Sequence, residues 1–172
     1  DTFVIFLNRP EKLNAFTKTM QDELIKIFDH TDQNDDIKSV VISGEGRAFC
    51  AGADLVEGPN TFNYSEEGNK LSNNDNRDGG GLVALRIFRS KKPVICAING
   101  DAVGVGATMT LPMDIRIASE SARFGFVFSR RGAVPEACSS WFLPRIVGIS
   151  KALDWCYTGK VFSSKEALQN LT

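Results

Sequence analysis

The sequence predicts an α/β fold built from repeated units. Two observations carry that expectation. Apolar runs of strand length alternate with amphipathic stretches of helical period, and one strand-and-turn plan occurs twice. The two copies are "SVVISGEGRAFCAGADL" and "PVICAINGDAVGVGATMTL". Each runs from an apolar strand through a Gly turn into small residues that look ready to open a helix. Val40 and Val94 begin corresponding strands, which hints at stacked repeats.

Taken in order, "TFVIFLN" is a strand bounded by Asn8-Arg9-Pro10. "TKTMQDELIKIFDHTDQND" follows as a helix with Met20, Leu24, Ile27, Phe28 and Thr31 on one face, capped by Thr17 or Thr19. "KSVVISG" and "KPVICAING" are the next strands and "MDIRIAS" a shorter one, with Asp114 anchoring the turn before it. "PEACSSWFLPRIVG" and "ISKALDWCYTG" read as helices, with Pro135 in the first turn of the former. Between Glu57 and Gly81 the chain is polar and rich in Asn, Gly, Asp and Ser, which predicts a long mobile loop or lid within one domain spanning residues 1–172. The last stretch, "FSSKEALQNLT", starts as a capping box at Ser163 and Glu166 and then stops, so the domain is expected to be truncated at its C-terminus.

Composition narrows the function. The chain has 172 residues, 42% hydrophobic and 24% charged, an ordinary globular balance. Its 20 basic residues against 21 acidic ones give no global field for nucleic acid, and Lys91-Lys92 and Arg130-Arg131 read as solvated pairs. No apolar run has the length of a membrane span, so no membrane association is expected. Four separated cysteines and a single histidine, His30, lack metal spacing and leave little material for a zinc site or a Ser-His-Asp triad. Reduced thiols in a cytosol-like compartment follow, with Cys96 and Cys138 in the core.

The Gly-rich turns are the candidate site. A dinucleotide fingerprint fails at its third glycine, where Met109 stands, and Asp114 and Glu120 come too early for a ribose. A second reading is a pair of main-chain donors for an oxyanion. Ala51-Gly52-Ala53 and Gly104-Val105-Gly106 would admit a ligand close to the backbone, and each would offer unpaired N–H groups at a helix start. Glycines that serve only close packing fit the same spacing.

At these residues the sequence resembles the crotonase superfamily, the enoyl-CoA hydratase/isomerase proteins. "NRPEKLNAF", "RAFCAGADL" and "INGDAVGVGATMTLPMDIRIAS" look like its signature segments, in order and at family spacing. The resemblance implies a crotonase-like spiral of repeated β-β-α units, an acyl-CoA thioester substrate and no separate cofactor, coenzyme A being part of the substrate. It also implies fatty acid metabolism and a homotrimer or hexamer when the C-terminal part is present. The compartment is expected to be cytoplasmic, with mitochondrial or peroxisomal placement left open. Carried over residue by residue, the oxyanion donors fall on the N–H groups of Ala53 and Val105. Lys12, Leu13, Ala51, Asp54, Leu55 and Val56 fall along the path of the CoA moiety, although Asp54 also reads as a helix cap. Gly104, Thr108 and Phe128 join the substrate-binding set.

Thr108 and Phe128 occupy the positions of the two hydratase glutamates, and neither can serve as a carboxylate base. The remaining acid is Glu136. Its segment "PEACSSWFLPRIVG" resembles the Δ3,Δ2-enoyl-CoA isomerases, in which one Glu shuttles a proton between C2 and C4. Ala133, Val134 and Ala137 are expected to surround its carboxyl. Burial would raise its pKa and a helix N-terminus would lower it. The resemblance therefore implies an isomerase. The alternatives are a hydratase or other thioester reaction using a carboxylate not yet placed, and a module that binds acyl-CoA or protein without turnover. Cys50, with no His to activate it, is expected to be inert packing.

Overall fold

The computed structural model describes residues 1–56, 58 and 78–170. Strand β1 (Thr2–Leu7) leads through a 3-10 turn into helix α1 (Lys18–Gln33), and three β-β units follow. These are β2 (Ser39–Gly44) with β3 (Ala48–Cys50), β4 (Val94–Ile98) with β5 (Asp101–Val103), and β6 (Ile115–Ala118) with β7 (Arg123–Gly125). Helix α2 (Gly79–Phe88) precedes β4, and the four-residue α3 (Val105–Thr108) follows β5. The chain then forms α4 (Ser139–Val147), α5 (Ile149–Thr158), β8 (Val161–Ser163) and α6 (Ser164–Gln169).

The first strand of each unit joins one sheet in the order β1-β2-β4-β6, and the second joins another in the order β3-β5-β7-β8. All pairs are parallel except β7 with β8. Val40 pairs with Val94, the two positions that begin the repeated plan in the sequence. Each β-β unit therefore advances both sheets by one strand, the spiral arrangement of repeated units expected for this α/β class. Because β3 and β5 are neighbours (Cys50 opposite Ala102), the turns that leave them lie side by side.

Local chemistry explains the elements. Thr17 caps α1 by accepting the Met20 N–H at 3.2 Å, and Met20, Leu24, Phe28 and Thr31 recur on the buried face. Arg86 of α2 clamps α1 through Asp29 at 2.8 Å and Asp32 at 2.7 Å. Asp114 anchors the start of β4 by accepting the Val94 N–H at 2.8 Å. One buried cluster gathers Leu24, Phe28, Ile42, Phe49, Val83 and Met109 between the sheets and the first two helices. A second forms around Phe126, Leu143, Trp155 and Phe162, where the Trp155 and Phe162 rings stack at 3.9 Å. Cys96 is buried as expected, and Cys138 is only half-buried.

Some expectations change. Helix α2 was not legible in "GGGLVALRIF", and it claims residues 79–81, so the polar stretch ends sooner than Gly81. The remainder of the 57–81 loop, apart from Gly58 and Asp78, lies outside the described residues. Helix α4 begins at Ser139, not at Pro135, because Ala137 and Cys138 take left-handed φ values of 53° and 59°. After Ala51-Gly52-Ala53, Gly58 lies in a 3-10 turn, its N–H donating to the Leu55 carbonyl at 2.9 Å, and any continuation falls outside the described residues. Asp54 accepts the Val56 N–H two residues on at 3.1 Å, as a cap does, and also pairs with Arg9 at 2.9 Å.

At Gly106 two backbones come so close that a Cβ would overlap the carbonyl oxygen and carbon of Cys50. Gly106→Ala must push α3 away from β3, so it is expected to cost about 2–4 kcal/mol of stability, measured by denaturant unfolding.

Candidate active site

The site is assembled from three turns and one helix start. "NRPEKLNAF" supplies the first turn. Asn14, fully buried with φ of 54°, donates to the carbonyls of Glu45 and Ala48 at 2.9 Å each and accepts the Arg9 N–H at 2.8 Å. Asparagine suits this place because it tolerates the left-handed region and bonds the local backbone. The turn is then sewn to the segment after β3: the Ala51 N–H donates to Leu13, the Phe16 N–H to Gly52, and the Asp54 N–H to Phe16. Lys12, Leu13, Ala51, Asp54, Leu55 and Val56 thereby share one ridge. Leu55 and Val56 are open to solvent, Val56 at 77%. Arg9, through its hydrogen bond, and the Val56 N–H hold the Asp54 carboxyl below the usual carboxylate range.

Beside this ridge lies the Gly104 turn. Gly104 has φ of 55°, and a Cβ built on it would stand 3.8 Å from the Cα of Gly52, so the two turns are in near contact. Among the described residues, neither the Ala53 N–H nor the Val105 N–H donates a hydrogen bond, whereas their neighbours Asp54 and Gly104 do. Val105 is only 5% exposed, which makes an unpaired donor there costly unless something binds it.

Glu136 reaches the same place from the segment before α4. Its Oε1 accepts the Thr108 hydroxyl at 3.3 Å. A Cβ built on Gly80 would stand 3.0 Å from Glu136 Oε2, 3.0 Å from Ala137 Cβ and 2.8 Å from Val105 Cγ2. The carboxyl and Val105 therefore abut one glycine, which only a residue without a side chain can be. Burial, then the charge and hydrogen bond of Asp78, push the Glu136 pKa up to about 8, while the Thr108 hydroxyl opposes them. A helix N-terminus plays no part in this, since α4 starts three residues later. Ala133 and Val134 do not surround the carboxyl either; both are exposed, Val134 at 78%. The actual neighbours are Gly80, Ala137, Thr108 and Asp78.

Asp78 is the residue the sequence concealed. It caps α2, accepting the Gly81 N–H at 2.7 Å and the Ala137 N–H at 3.4 Å. The signal was an Asp before three glycines and an apolar run, hidden by the polar stretch around it. Phe128, by contrast, is 4% exposed and sits in the second cluster against Phe126, with ring centroids 6.4 Å apart. Thr108 is fully buried, and its polar partners are Glu136 and the Val105 carbonyl. Cys50 lies near Glu136 but is fully buried, and burial pushes its thiol up to about 11, which suits packing rather than nucleophilic chemistry.

A separate cavity of about 610 Å³ lies between β6, β8 and the last helices, lined by Leu111, Phe124, Phe126, Trp155, Phe162 and Leu168 among others. None of the predicted site residues lines it. Among the described residues, no cluster of three or more His, Cys, Asp or Glu side chains could hold a metal, and no helix is long and apolar enough to cross a membrane.

Comparison with known proteins bears on this arrangement. The chain is 45% identical over 165 residues to the enoyl-CoA hydratase ACTT3 of Alternaria alternata, covering 96% of this chain and 53% of that protein. It is 39% identical over 163 residues to the 1,2-epoxyphenylacetyl-CoA isomerase of Escherichia coli, covering 94% of this chain and 60% of the relative. The crystal structure of an enoyl-CoA hydratase/isomerase from Pseudoalteromonas atlantica superposes with a TM-score of 0.83 at 32% identity, covering 98% of this chain and 63% of that one. The chain thus spans little more than half the length of the curated relatives it matches. Residues 2–170 match the sequence profile described as enoyl-CoA hydratase/isomerase, and the chain belongs to that family.

Proposed function

We propose that the protein of which this chain is part binds unsaturated acyl-CoA thioesters and moves their double bond by a 1,3 proton shift. The observation that carries this reading is one half-buried carboxyl, Glu136, abutting the same glycine as Val105, whose N–H has no partner among the described residues. The thioester oxygen would sit on the Ala53 and Val105 N–H groups. The Glu136 carboxylate takes a proton from C2 of a 3-enoyl thioester, and the C–H electron pair moves through C1 onto that oxygen. The two amides hold the resulting dienolate. Glu136 then returns the proton to C4, the oxygen's electrons restore the thioester carbonyl, and a 2-enoyl thioester leaves with the carboxylate regenerated. One base suffices because the proton it removes is the proton it returns.

A second reading is hydration of a 2-enoyl thioester, favoured by the position of Asp78, which puts a second carboxyl beside Glu136. Of the relatives, one is named an enoyl-CoA hydratase and one an isomerase of an epoxy-acyl-CoA, so CoA thioesters are common to both names. Parallel assays with 2-enoyl- and 3-enoyl-CoA separate them, and faster turnover of the 3-enoyl ester is expected. Homotrimer or hexamer assembly remains part of the proposal and is checked by light scattering on the full-length protein.

Glu136→Gln is expected to lower isomerisation about 100-fold or more while preserving binding of a CoA ester, measured by steady-state turnover and calorimetry. Wild-type turnover in that variant would refute Glu136 as the base. Because burial raises this acid, its reactive carboxylate accumulates only as pH rises, so kcat/KM should climb through a midpoint of about 8. Proline is accepted at the first position of a helix, so Val105→Pro deletes one amide donor at limited structural cost. It should slow turnover about 100-fold relative to Val105→Ala, which keeps the N–H. Equal rates for the two variants would remove that amide from the mechanism.

A further inference from the structure

Asp78 stands at a crossing of hydrogen bonds that the proton shift does not itself require. Its Oδ1 accepts the Gly81 N–H at 2.7 Å and its Oδ2 the Ala137 N–H at 3.4 Å, so both oxygens act as acceptors toward the main chain. Cβ atoms built on the consecutive Gly80 and Gly81 would stand 3.0 Å from Glu136 Oε2 and 2.9 Å from Asp78 Oδ2, so the two carboxyls lie against adjacent residues of α2. A second carboxyl beside Glu136 disfavours its charged form. The Ala137 N–H adds a geometric restraint, because it ties Asp78 to the residue next to Glu136, across 58 residues of sequence.

The other neighbours leave this arrangement unopposed. From β3, Cys50 faces Glu136 as a buried thiol, and from α3, Thr108 offers a hydroxyl. Among the described residues no cationic side chain acts on Glu136. From these contacts we infer that Asp78 is a positioning residue that strengthens Glu136 as a base, its carboxyl facing that of Glu136 and its bond to the Ala137 N–H holding the segment that carries it. This rests on the proposed role of Glu136. A stronger base removes a carbon-bound proton faster once ionised but is ionised less often at low pH. Asp78 thus trades availability for strength.

Asp78→Asn tests this, since asparagine caps a helix as well as aspartate and keeps the acceptor for Gly81. Removing the charge should move the midpoint of kcat/KM against pH down by about 2 units, raising turnover at pH 6 relative to the plateau about tenfold or more. The plateau itself should fall about tenfold, because the base is weaker. The two pH profiles then cross, which a purely structural role would not produce. The Glu136 carboxyl is titrated in parallel by carbon-13 NMR in the wild-type protein and in Asp78→Asn, with Asp78→Ser as a second capping variant lacking the charge. A midpoint that falls in both variants supports the inference. A midpoint unmoved in folded variants, or profiles that drop in parallel, overturns it. Failure of the catalytic reading is recognised separately, as normal turnover in Glu136→Gln while the NMR midpoint still responds to Asp78.

Discussion

The contact on which the site depends is backbone against backbone: the first turn of α3 pressed onto the end of β3, with Gly106 against the Cys50 carbonyl. A side chain at position 106 would part them. Because they touch, the segments leaving β3 and β5 run side by side, and the N–H groups of Ala53 and Val105, unpaired among the described residues, belong to adjacent turns. The parallel pairing of β3 with β5 sets this approach, and the equivalent pairing of β2 with β4 enforces it from the other sheet. The site is therefore a product of the repeat. Two copies of one strand-turn plan, offset by one strand, bring their turns together.

A second layer of organisation brings distant segments onto that frame. Asn14 and Arg9 fasten the turn after β1 to the β2–β3 turn and the residues after β3, while Gly80 lets α2 come down against Val105 and Glu136. The carboxyl that results is buried among small residues and faced by another carboxyl. In water its charge would be solvated; here solvation is reduced and, among the described residues, no cation replaces it, so the neutral form gains.

Much of this was legible in the sequence where local pattern and tertiary structure agree. The apolar runs at Val40 and Val94 became paired strands in the expected register, and Thr17 capped α1 as its position before "KTMQDELIKIF" suggested. Elsewhere tertiary contacts overrode local signals. Three glycines hid α2, since their low helix propensity is offset by a packing need that no local pattern reveals. Pro135 looked like a helix start, but two left-handed residues intervene before Ser139. Asp54 had the look of a cap, and its carboxyl accepts the Val56 N–H while also pairing with Arg9, a partner the local pattern did not announce. Asp78 escaped notice because its partner Glu136 is brought to it only by folding. Nothing within a helical turn of Asp78 announces that contact.

Ala137 and Cys138, the two residues that follow Glu136, hold positive φ without being glycine. Such conformations cost on the order of 1 kcal/mol or more each and persist because the surroundings insist on them. Glycine at either position would relieve that cost, and a laboratory selection for heat tolerance would reward it. The same replacement would slacken the hold on the carboxyl next door. Endurance and the set of that carboxyl are thus opposed within three consecutive residues.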